Sequence, residues 1–467
     1  MRSKASGFDD SMSPQEKRTA YSLAGIYMVR MLGLFMILPV FTLYGSELAG
    51  HTHFLIGLAI GIYGLTQAIL QIPFGMLSDR IGRKPVIYLG LTIFIVGSAV
   101  AGLSHTIYGV ILGRALQGAG AISSTVMALA ADLTRDEHRS KIMGTIGLSI
   151  GFAFSLGIVA GPVLNSWIGV DGIFWLTALL GVGAFVIAAF VVPKPQHSLL
   201  HRDTEVVLSS FGKVLRNPEL LRLDFGIFTM QFVLTANFVI LPVVLTHMTG
   251  LAENKQWGVY LPVMLIAFIL MVPFVIIAEK RRKMKPIFVW SIATLVLCQL
   301  LYLFSGHSLV ETVAVMLIFF VAFNTLEATL PSLVAKFSPP TLKGTAMGVY
   351  SSSQFFGIFL GGALGGASYA RWGVNGVFLM SAGLAAVWLL LASRMNNPRY
   401  LASYVLRIEQ AVLPERVAAA EAELTGIPGV VEAQIVPDEG VAYLRVDRDA
   451  LDEERLRAFS PAQPNGV

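Results

Sequence analysis

The decisive stretch of this chain is Gly75-Met76-Leu77-Ser78-Asp79-Arg80-Ile81-Gly82-Arg83-Lys84, which places four charges between two uncharged runs. The first run extends from Leu48 to Ser78, and the second begins at Pro85. Roughly 20 apolar residues are enough for a helix to cross a bilayer. A charged turn cannot lie in lipid, so the stretch predicts two membrane-spanning helices joined at one face of a membrane.

The composition is that of a membrane protein over most of the chain. The 467 residues are 55% hydrophobic and 13% charged, with a mean hydropathy of +0.69, whereas soluble domains are roughly 25% charged. The single cysteine, Cys298, excludes an intramolecular disulfide. The segment 1–19 is polar and has no apolar centre, so the first span is expected to act as its own insertion signal.

Twelve runs have the length and composition of a membrane-spanning helix. They lie at about 20–45, 54–78, 85–104, 107–131, 142–168, 172–192, 221–248, 256–278, 286–305, 310–335, 344–370 and 374–393. Lys and Arg number 24 in the loops on one side of these spans and two in the loops on the other. The positive-inside rule then predicts that both termini are cytoplasmic. This placement explains the net charge of +5 without a nucleic acid partner.

The two halves of the membrane region repeat one another. The residues Gly144-Thr145, Gly157 and Gly161 recur 200 positions later as Gly344-Thr345, Gly357 and Gly361. We therefore expect two pseudo-symmetric six-helix bundles, 20–192 and 221–394, in an otherwise all-α membrane protein. The connection 193–220 has apolar residues at helical spacing, which predicts an amphipathic helix on the membrane surface.

The segment 400–467 has a different composition and predicts a small α+β, ferredoxin-like domain in the cytoplasm. Its pattern is strand, helix, strand, strand, helix, at Tyr400–Ile408, Pro414–Leu424, Val430–Val436, Val441–Val446 and Leu451–Phe459. A final strand is not evident. An exposed strand edge could pair two such tails into a homodimer, which stays open at this point.

Three motifs resemble those of the major facilitator superfamily. Gly75–Lys84 resembles the signature loop of that family between spans two and three, and Arg114-Ala-Leu-Gln-Gly118 resembles its R-x-x-Q-G motif in span four. Gly157, Gly161 and Pro162 form the G-x-x-x-G-P motif of its drug/proton antiporters in span five. The resemblance covers about 20–394 and implies a substrate site between the halves. It also implies a bacterial inner-membrane location, and the tail resembles the YAM type of ferredoxin-like domain.

The same resemblance implies that the signature loop is a conformational latch. It places Asp79 opposite the start of span eleven at Gly344, where a helix N-terminus favours a carboxylate by roughly 0.3–1 kcal/mol. It also pairs Arg83 with Asp132. Such a latch would join the halves on the cytoplasmic side and favour an outward-open state; the alternative is that Asp79 caps only its own loop. The implied latch residues are Gly75, Asp79, Arg80, Gly82, Arg83, Asp132 and Gly344.

Ionisable groups deep in a span cost roughly 2.5–3.5 kcal/mol and are functional candidates. Glu327, near the middle of span ten, is expected to carry the coupled proton, with Arg30 lining the same cavity; the alternative is a static pair of Glu327 with an arginine. Asp132, Asp224 and Glu279 lie nearer to span ends. Further candidates for the substrate cavity are Tyr27, Arg114, Gln117, Gln231, Asn237, Asn324, Tyr350 and Gln354.

The remaining patterns exclude several functions. The chain has no phosphate-binding G-x-x-x-x-G-K-[ST] loop, no cysteine pair in the tail and no nucleophile–base set, so we expect no cofactor, no metal and no enzyme. The leading hypothesis is a proton-coupled antiporter that exports a small amphiphilic molecule, with the substrate, protons and the lipid bilayer as partners. A membrane sensor whose tail binds a ligand or another chain is one alternative, and an uncoupled facilitator is another.

Overall fold

The computed structural model describes most of the chain. Within it, Met1–Asn396 and Asn397–Val467 form two separate compact units. The described residues are 12–193, 212–305, 308–339, 342–398, 402–407, 417–436, 441–447, 450–452 and 455–456. The predicted amphipathic helix of the 193–220 connection falls mainly outside these ranges.

The first unit is built from long helices. Those of its first half are α1 (Pro14–Phe35), α2 (Phe41–Gly45), α3 (His53–Ile81), α4 (Arg83–Leu103), α5 (Ile107–Ala119), α6 (Ser123–Asp132) and α7 (Asp136–Val186). Those of its second half are α8 (Pro218–Val243), α9 (Trp257–Lys280), α10 (Met284–Ser305), α11 (Leu309–Phe337) and α12 (Lys343–Ser393). Short π-helical turns at Ile187–Val191 and Val244–Met248 extend α7 and α8.

Within the described ranges, eight helices are long and apolar enough to cross a membrane. Two of them, α7 and α12, contain 51 residues each and turn back at Gly169 (φ +71°) and Gly373 (φ +67°). Only glycine adopts such a backbone without strain, so each of these helices makes two passes. Span one is divided into α1 and α2 by a turn, and span four into α5 and α6 by a break at Gly120–Ile122. The predicted twelve-span fold is thereby confirmed, with two spans interrupted where the sequence suggested continuous helices.

The turn between α3 and α4 defines one end of the helix bundle, which we call the signature end. Gly82, with φ +96°, is the residue at this turn. Because Gly57 of α3 packs against Gly362 and Gly64 against Phe355, α12 runs antiparallel to α3 and also begins at the signature end. Gly357 and Gly361 pack against Phe228 and Phe232, so α8 is parallel to α12.

The two halves are in close contact at the end opposite to the signature end. A Cβ atom on Gly57 would lie 2.2 Å from the carbonyl oxygen of Gly362, and one on Gly61 would lie 2.5 Å from that of Phe359. Nearby, the Thr42 hydroxyl donates a hydrogen bond to the carbonyl oxygen of Phe238 (3.3 Å). Helix backbones approach this closely only where side chains are absent, so glycine is required at this contact.

The second unit is a three-stranded antiparallel sheet with a helix. Its elements are β1 (Ala402–Arg407), α13 (Val417–Thr425), β2 (Val430–Val436) and β3 (Val441–Val446), and the strand order is β1-β3-β2. Leu406, Leu424, Ile435 and Leu444 contribute to its core. Both outer strands are antiparallel to β3 and hence parallel to one another, as the β-α-β-β part of a ferredoxin-like domain requires. The predicted helix Leu451–Phe459 lies mostly outside the described residues, as does any final strand.

Candidate functional site

The signature loop is held by a buried arginine. The Arg83 side chain forms ion pairs with Asp79 and, at 3.1 Å, with Asp132 at the end of α6. It also donates a hydrogen bond to the Ser78 hydroxyl (2.8 Å). Lys84 donates to the carbonyl oxygen of Val192 (2.8 Å), which ties the loop to the end of α7. The suggested Arg83–Asp132 pair is present, while its role in a latch stays a prediction.

Asp79 interacts with its own loop in this conformation. Its carboxylate pairs with Arg83, four residues away, and is about one-third exposed (35%). The expected contact of Asp79 with the start of α12 at Gly344 stays a prediction. Gly75 packs against Ser124, and Arg80 is exposed.

The second half has a different ion pair at the equivalent place. Glu279 lies 200 positions after Asp79, and Lys336 lies 204 positions after Asp132. Their side chains pair at 2.7 Å, and Ser332 donates to the same carboxylate (2.6 Å). In the first half, Arg83 bridges the two carboxylates of Asp79 and Asp132. In the second half, the residues at these two acidic positions, Glu279 and Lys336, form an ion pair directly with each other.

Arg30 is the centre of a polar cluster in the first half. It is 1% exposed and donates through Nη2 to the Tyr63 hydroxyl (3.1 Å) and the Gln67 amide oxygen (2.8 Å). The Gln67 amide in turn donates to Ser123 (3.1 Å). Among the described residues, Nε and Nη1 of Arg30 have no hydrogen-bond partner. The N–H groups of Nε and Nη1 could therefore donate hydrogen bonds to a bound ligand.

Arg114 and Gln117, by contrast, are bonded to each other and to neighbouring helices. Arg114 is fully buried and donates to the Gln117 amide oxygen (2.9 Å) and to the carbonyl oxygens of Ala59 and Ile60 (both 3.4 Å). Gln117 donates to Ser98 (2.8 Å). This bonding favours a structural role in joining α3, α4 and α5 over the cavity role that the sequence suggested for both residues.

Glu327 accepts a hydrogen bond from a neutral side chain. The Gln231 amide of α8 donates to its carboxylate (3.3 Å). No ion pair joins Glu327 to any described residue, so the alternative of a static pair with arginine has no support in this conformation. Asn324, one turn earlier on α11, and Tyr350 of α12 are buried and have a polar atom without a partner in the described part of the chain. Gln231, Asn324, Glu327 and Tyr350 define the carboxylate cluster of the second half.

The other expected cavity residues are divided between the halves. Tyr27 lies beside Ser123. Tyr27 is 204 positions before Gln231, and Ser123 is 204 positions before Glu327. Asn237 is fully buried on α8, and Gln354 is half-buried on α12. A neutral hydroxyl pair in the first half is thus equivalent in position to the amide–carboxylate pair in the second.

Aromatic rings connect the halves next to the carboxylate cluster. Phe154 of α7 contacts Phe35 (ring centroids 5.0 Å apart) and Phe323 (5.4 Å), and Phe320 contacts Phe238 (6.3 Å). Since Phe323 lies one turn before Glu327, these rings separate the carboxylate from the opposite end of the bundle. The sequence alone does not indicate this contact, because aromatic residues are common throughout membrane helices.

The antiporter motif packs against α1. A Cβ on Gly157 would lie 2.8 Å from the Phe35 Cβ, and one on Gly161 would lie 2.3 Å from the Met36 carbonyl oxygen. Pro162 follows inside α7. The two glycines therefore allow α7 to contact the turn that ends α1. Within the described part of the chain, no group of three or more His, Cys, Asp or Glu side chains could hold a metal ion.

Two further residues of the site were missed or given little weight by the sequence analysis. Tyr63 contacts Arg30, and its position four residues before Gln67 on one helix face was the available signal. Asp224 is 6% exposed, although its position near the start of span seven suggested contact with solvent. Its spacing of seven residues from Gln231 places both on one face of α8.

The chain is similar to known membrane transporters over most of its length. The family model of the Major Facilitator Superfamily matches residues 23–362 and 285–404. The inner membrane transport protein YajR of Escherichia coli is 47% identical over 442 residues, which cover 94% of this chain and 96% of that protein. The multidrug resistance protein MdtH of Aeromonas salmonicida is 26% identical over 72% of this chain and 82% of its own length.

A solved structure shares the fold at low sequence identity. A bacterial homolog of the human lysosomal transporter Spinster, in an inward-facing and occupied conformation, has a TM-score of 0.68 and 14% identity. The match covers 83% of this chain and 98% of that one. The family model indicates the same family as the signature loop and the twelve-span fold. The chain belongs to the Major Facilitator Superfamily of membrane transporters.

Proposed function

We propose that this protein is a proton-coupled antiporter that exports a small amphiphilic molecule across a bacterial inner membrane. The family supports transport, and the similarity to the inner membrane transport protein YajR and to the multidrug resistance protein MdtH supports the inner membrane and drug-like substrates. The apolar aromatic contact beside scattered amides suits an amphiphilic substrate better than a sugar.

The observation that carries the proposal is the environment of Glu327. A proton carrier must be neutral in one state and charged in another, which a carboxyl group in a dry cavity can do and an arginine cannot. Glu327 accepts a hydrogen bond from the neutral amide of Gln231 and has no ion pair with a described residue. Nothing described therefore holds it permanently in the charged form.

The orientation of the helices indicates which side of the membrane the candidate site faces in this conformation. The excess of Lys and Arg is found in the loops of the signature end, so we assign that end to the cytoplasm. The close contact at Gly57 and Gly362 then closes the periplasmic side, and this conformation faces inward. The latch between Asp79 and the start of α12 would form in the outward-facing state.

The test uses purified protein in liposomes that contain a pH-sensitive dye. A panel of fluorescent amphiphilic dyes is added outside, and dye movement and internal pH are recorded together. The wild type is expected to couple the two. Glu327→Gln should keep dye binding and lose proton movement, whereas Glu311→Gln, an exposed position at the start of the same helix, should behave as the wild type.

The alternatives predict different results. Dye flux without proton movement in the wild type would identify an uncoupled facilitator. Binding without any flux would favour a sensor. Proton coupling that is unchanged in Glu327→Gln would exclude Glu327 as the carrier.

A further inference from the structure

Asp224 is a second buried carboxylate in the second half of the membrane unit. It lies in α8, is 6% exposed, and its Oδ2 atom has no hydrogen-bond partner among the described residues. No described residue forms an ion pair with it. A buried charge without a partner is costly, so this position is not explained by stability.

Asp224 is aligned with the carboxylate cluster. Seven residues, or two helical turns, separate it from Gln231, so both lie on one face of α8 about 10 Å apart along the axis. Gln231 donates to Glu327. Because α8 begins at the signature end, Asp224 lies between that end and Glu327.

No cation of the described part of the chain forms an ion pair with Asp224. From α12, the buried Tyr350 hydroxyl lies within electrostatic range of both Asp224 and Glu327 and has no hydrogen-bond partner in the described structure. The titratable groups of α11 are Glu311, Glu327 and Lys336, and Lys336 pairs with Glu279 (2.7 Å). On α8 itself, Glu219 pairs with Arg222 (2.7 Å) at the start of the helix. Asp224 therefore shares its surroundings with a phenol and a carboxyl group.

The first half of the protein has no equivalent of these carboxylates. Pro14 and Pro218, at the starts of α1 and α8, are 204 positions apart, as are Tyr27 and Gln231. At the same offset, Ala20 replaces Asp224 and Ser123 replaces Glu327. Both carboxyl groups occur together in one half and are both absent from the other, which indicates a joint role.

We propose that Asp224 is a proton-carrying residue that exchanges protons between the signature end and Glu327. The inference deepens the proposed function and rests on it. In the inward-facing state, the O–H bond of the protonated Glu327 carboxyl group breaks and an O–H bond forms on the Asp224 carboxylate. The proton passes through the Tyr350 hydroxyl or through water, and a hydroxyl can accept one proton while it donates another. The Asp224 carboxyl group then releases this proton to water at the signature end, so one proton moves and no other bond changes.

The test is infrared spectroscopy of the full chain in lipid nanodiscs, with the proton as the probe. Protonated buried carboxyl groups give carbonyl bands that change with pH and shift when D₂O replaces water. Asp224→Asn should remove one band and slow the exchange of the Glu327 band by about 100-fold, the lower end of what a positioned acid–base group contributes. Tyr350→Phe should slow it less. Glu219→Gln, a buried carboxylate on the same helix with its own arginine, should leave the exchange unchanged.

A Glu327 band that exchanges at the wild-type rate in Asp224→Asn would overturn the relay and leave the proposed function intact. A Glu327 group that never changes protonation in the wild type would refute the proposed function itself. If Asp224→Asn does not fold, ¹³C-labelled aspartate separates the aspartate bands of the wild type from the Glu327 band, and the band of a buried protonated aspartate is assigned to Asp224 because the buried Asp132 is ion-paired with Arg83. That band must then exchange at least as fast as the Glu327 band, and slower exchange would overturn the proposal.

Discussion

Gly57→Ala should shift the protein away from the conformation described here. The new Cβ would lie 2.2 Å from the Gly362 carbonyl oxygen and 2.9 Å from the Cα of Gly366. Both neighbours are backbone atoms of α12, so no side-chain rotation can relieve the overlap. The two helices must separate by about 1 Å to restore ordinary van der Waals contact.

The size of the shift follows from the cost of this overlap. Inserting a methyl group into a closely packed contact costs about 1–3 kcal/mol. If the overlap exists only while the end opposite to the signature end is closed, the equilibrium between the two conformations moves by about 5- to 150-fold. Alanine also has a helix propensity about 1 kcal/mol better than glycine, and this effect is the same in both conformations.

The conformation can be followed by the distance between spin labels at His51 and Arg371, which are both exposed near the closed end. The native Cys298 is buried and does not compete for the label. Gly57→Ala should increase the population of long distances. Gly183→Ala and Gly383→Ala are matched controls, because no described atom lies within 4 Å of either new Cβ. If folded Gly57→Ala has the same distance distribution as the controls, the Gly57–Gly362 contact does not control the conformation, and the reasoning is refuted.

Three further predictions concern stability and the tail. The hydrogen-bonded guanidinium of Arg135 lowers the pKa of Glu16 from 4.5 to about 2, so the pair stabilises the protein above pH 4.5 and this contribution disappears as pH falls to 2. Since Arg135 is 53% exposed, we expect Glu16→Gln to cost about 1 kcal/mol at pH 7. The cost should be less than half of that at pH 3, where the folded-state carboxyl group is still mostly ionised, as measured by thermal unfolding at both pH values. Gly82→Ala should cost about 1–3 kcal/mol, because the φ of +96° strains any other residue; an unchanged unfolding temperature would contradict this. Deletion of 400–467 should leave the Met1–Asn396 unit folded and transport active, and dye flux that is absent from both the full chain and the truncated protein would favour the sensor hypothesis.

The sequence predicts the fold well because membrane insertion leaves few alternatives. Every backbone polar group in lipid must be bonded within its own helix, so apolar run length alone indicates the spans. The turns at Gly169 and Gly373 could also be found, since Gly169-Val-Asp-Gly172 recurs 204 positions later as Gly373-Val-Asn-Gly376. The breaks within spans one and four could not, because Pro39 and Gly120 resemble the prolines and glycines that other spans contain without a break.

The candidate site was only partly predictable, because burial does not indicate bonding. Arg30 and Arg114 are equivalent in the sequence as arginines within apolar runs. In the structure Arg114 is bonded to two carbonyl oxygens and Gln117, whereas two nitrogens of Arg30 have no partner among the described residues. This difference depends on which helices are neighbours, and a single sequence does not contain that information.

The energetics of coupling argue for more than one carboxyl group. Reversing a conformational equilibrium from 1:99 to 99:1 takes about 5.5 kcal/mol. For a single group this corresponds to a difference of about 4 in pKa between the two conformations, close to the largest effect that burial produces. Two carboxyl groups that respond to the same movement need only about half of that difference each. The occurrence of Asp224 together with Glu327 in the second half, where the first half has Ala20 and Ser123, provides two such groups between the signature end and the Gly57–Gly362 contact.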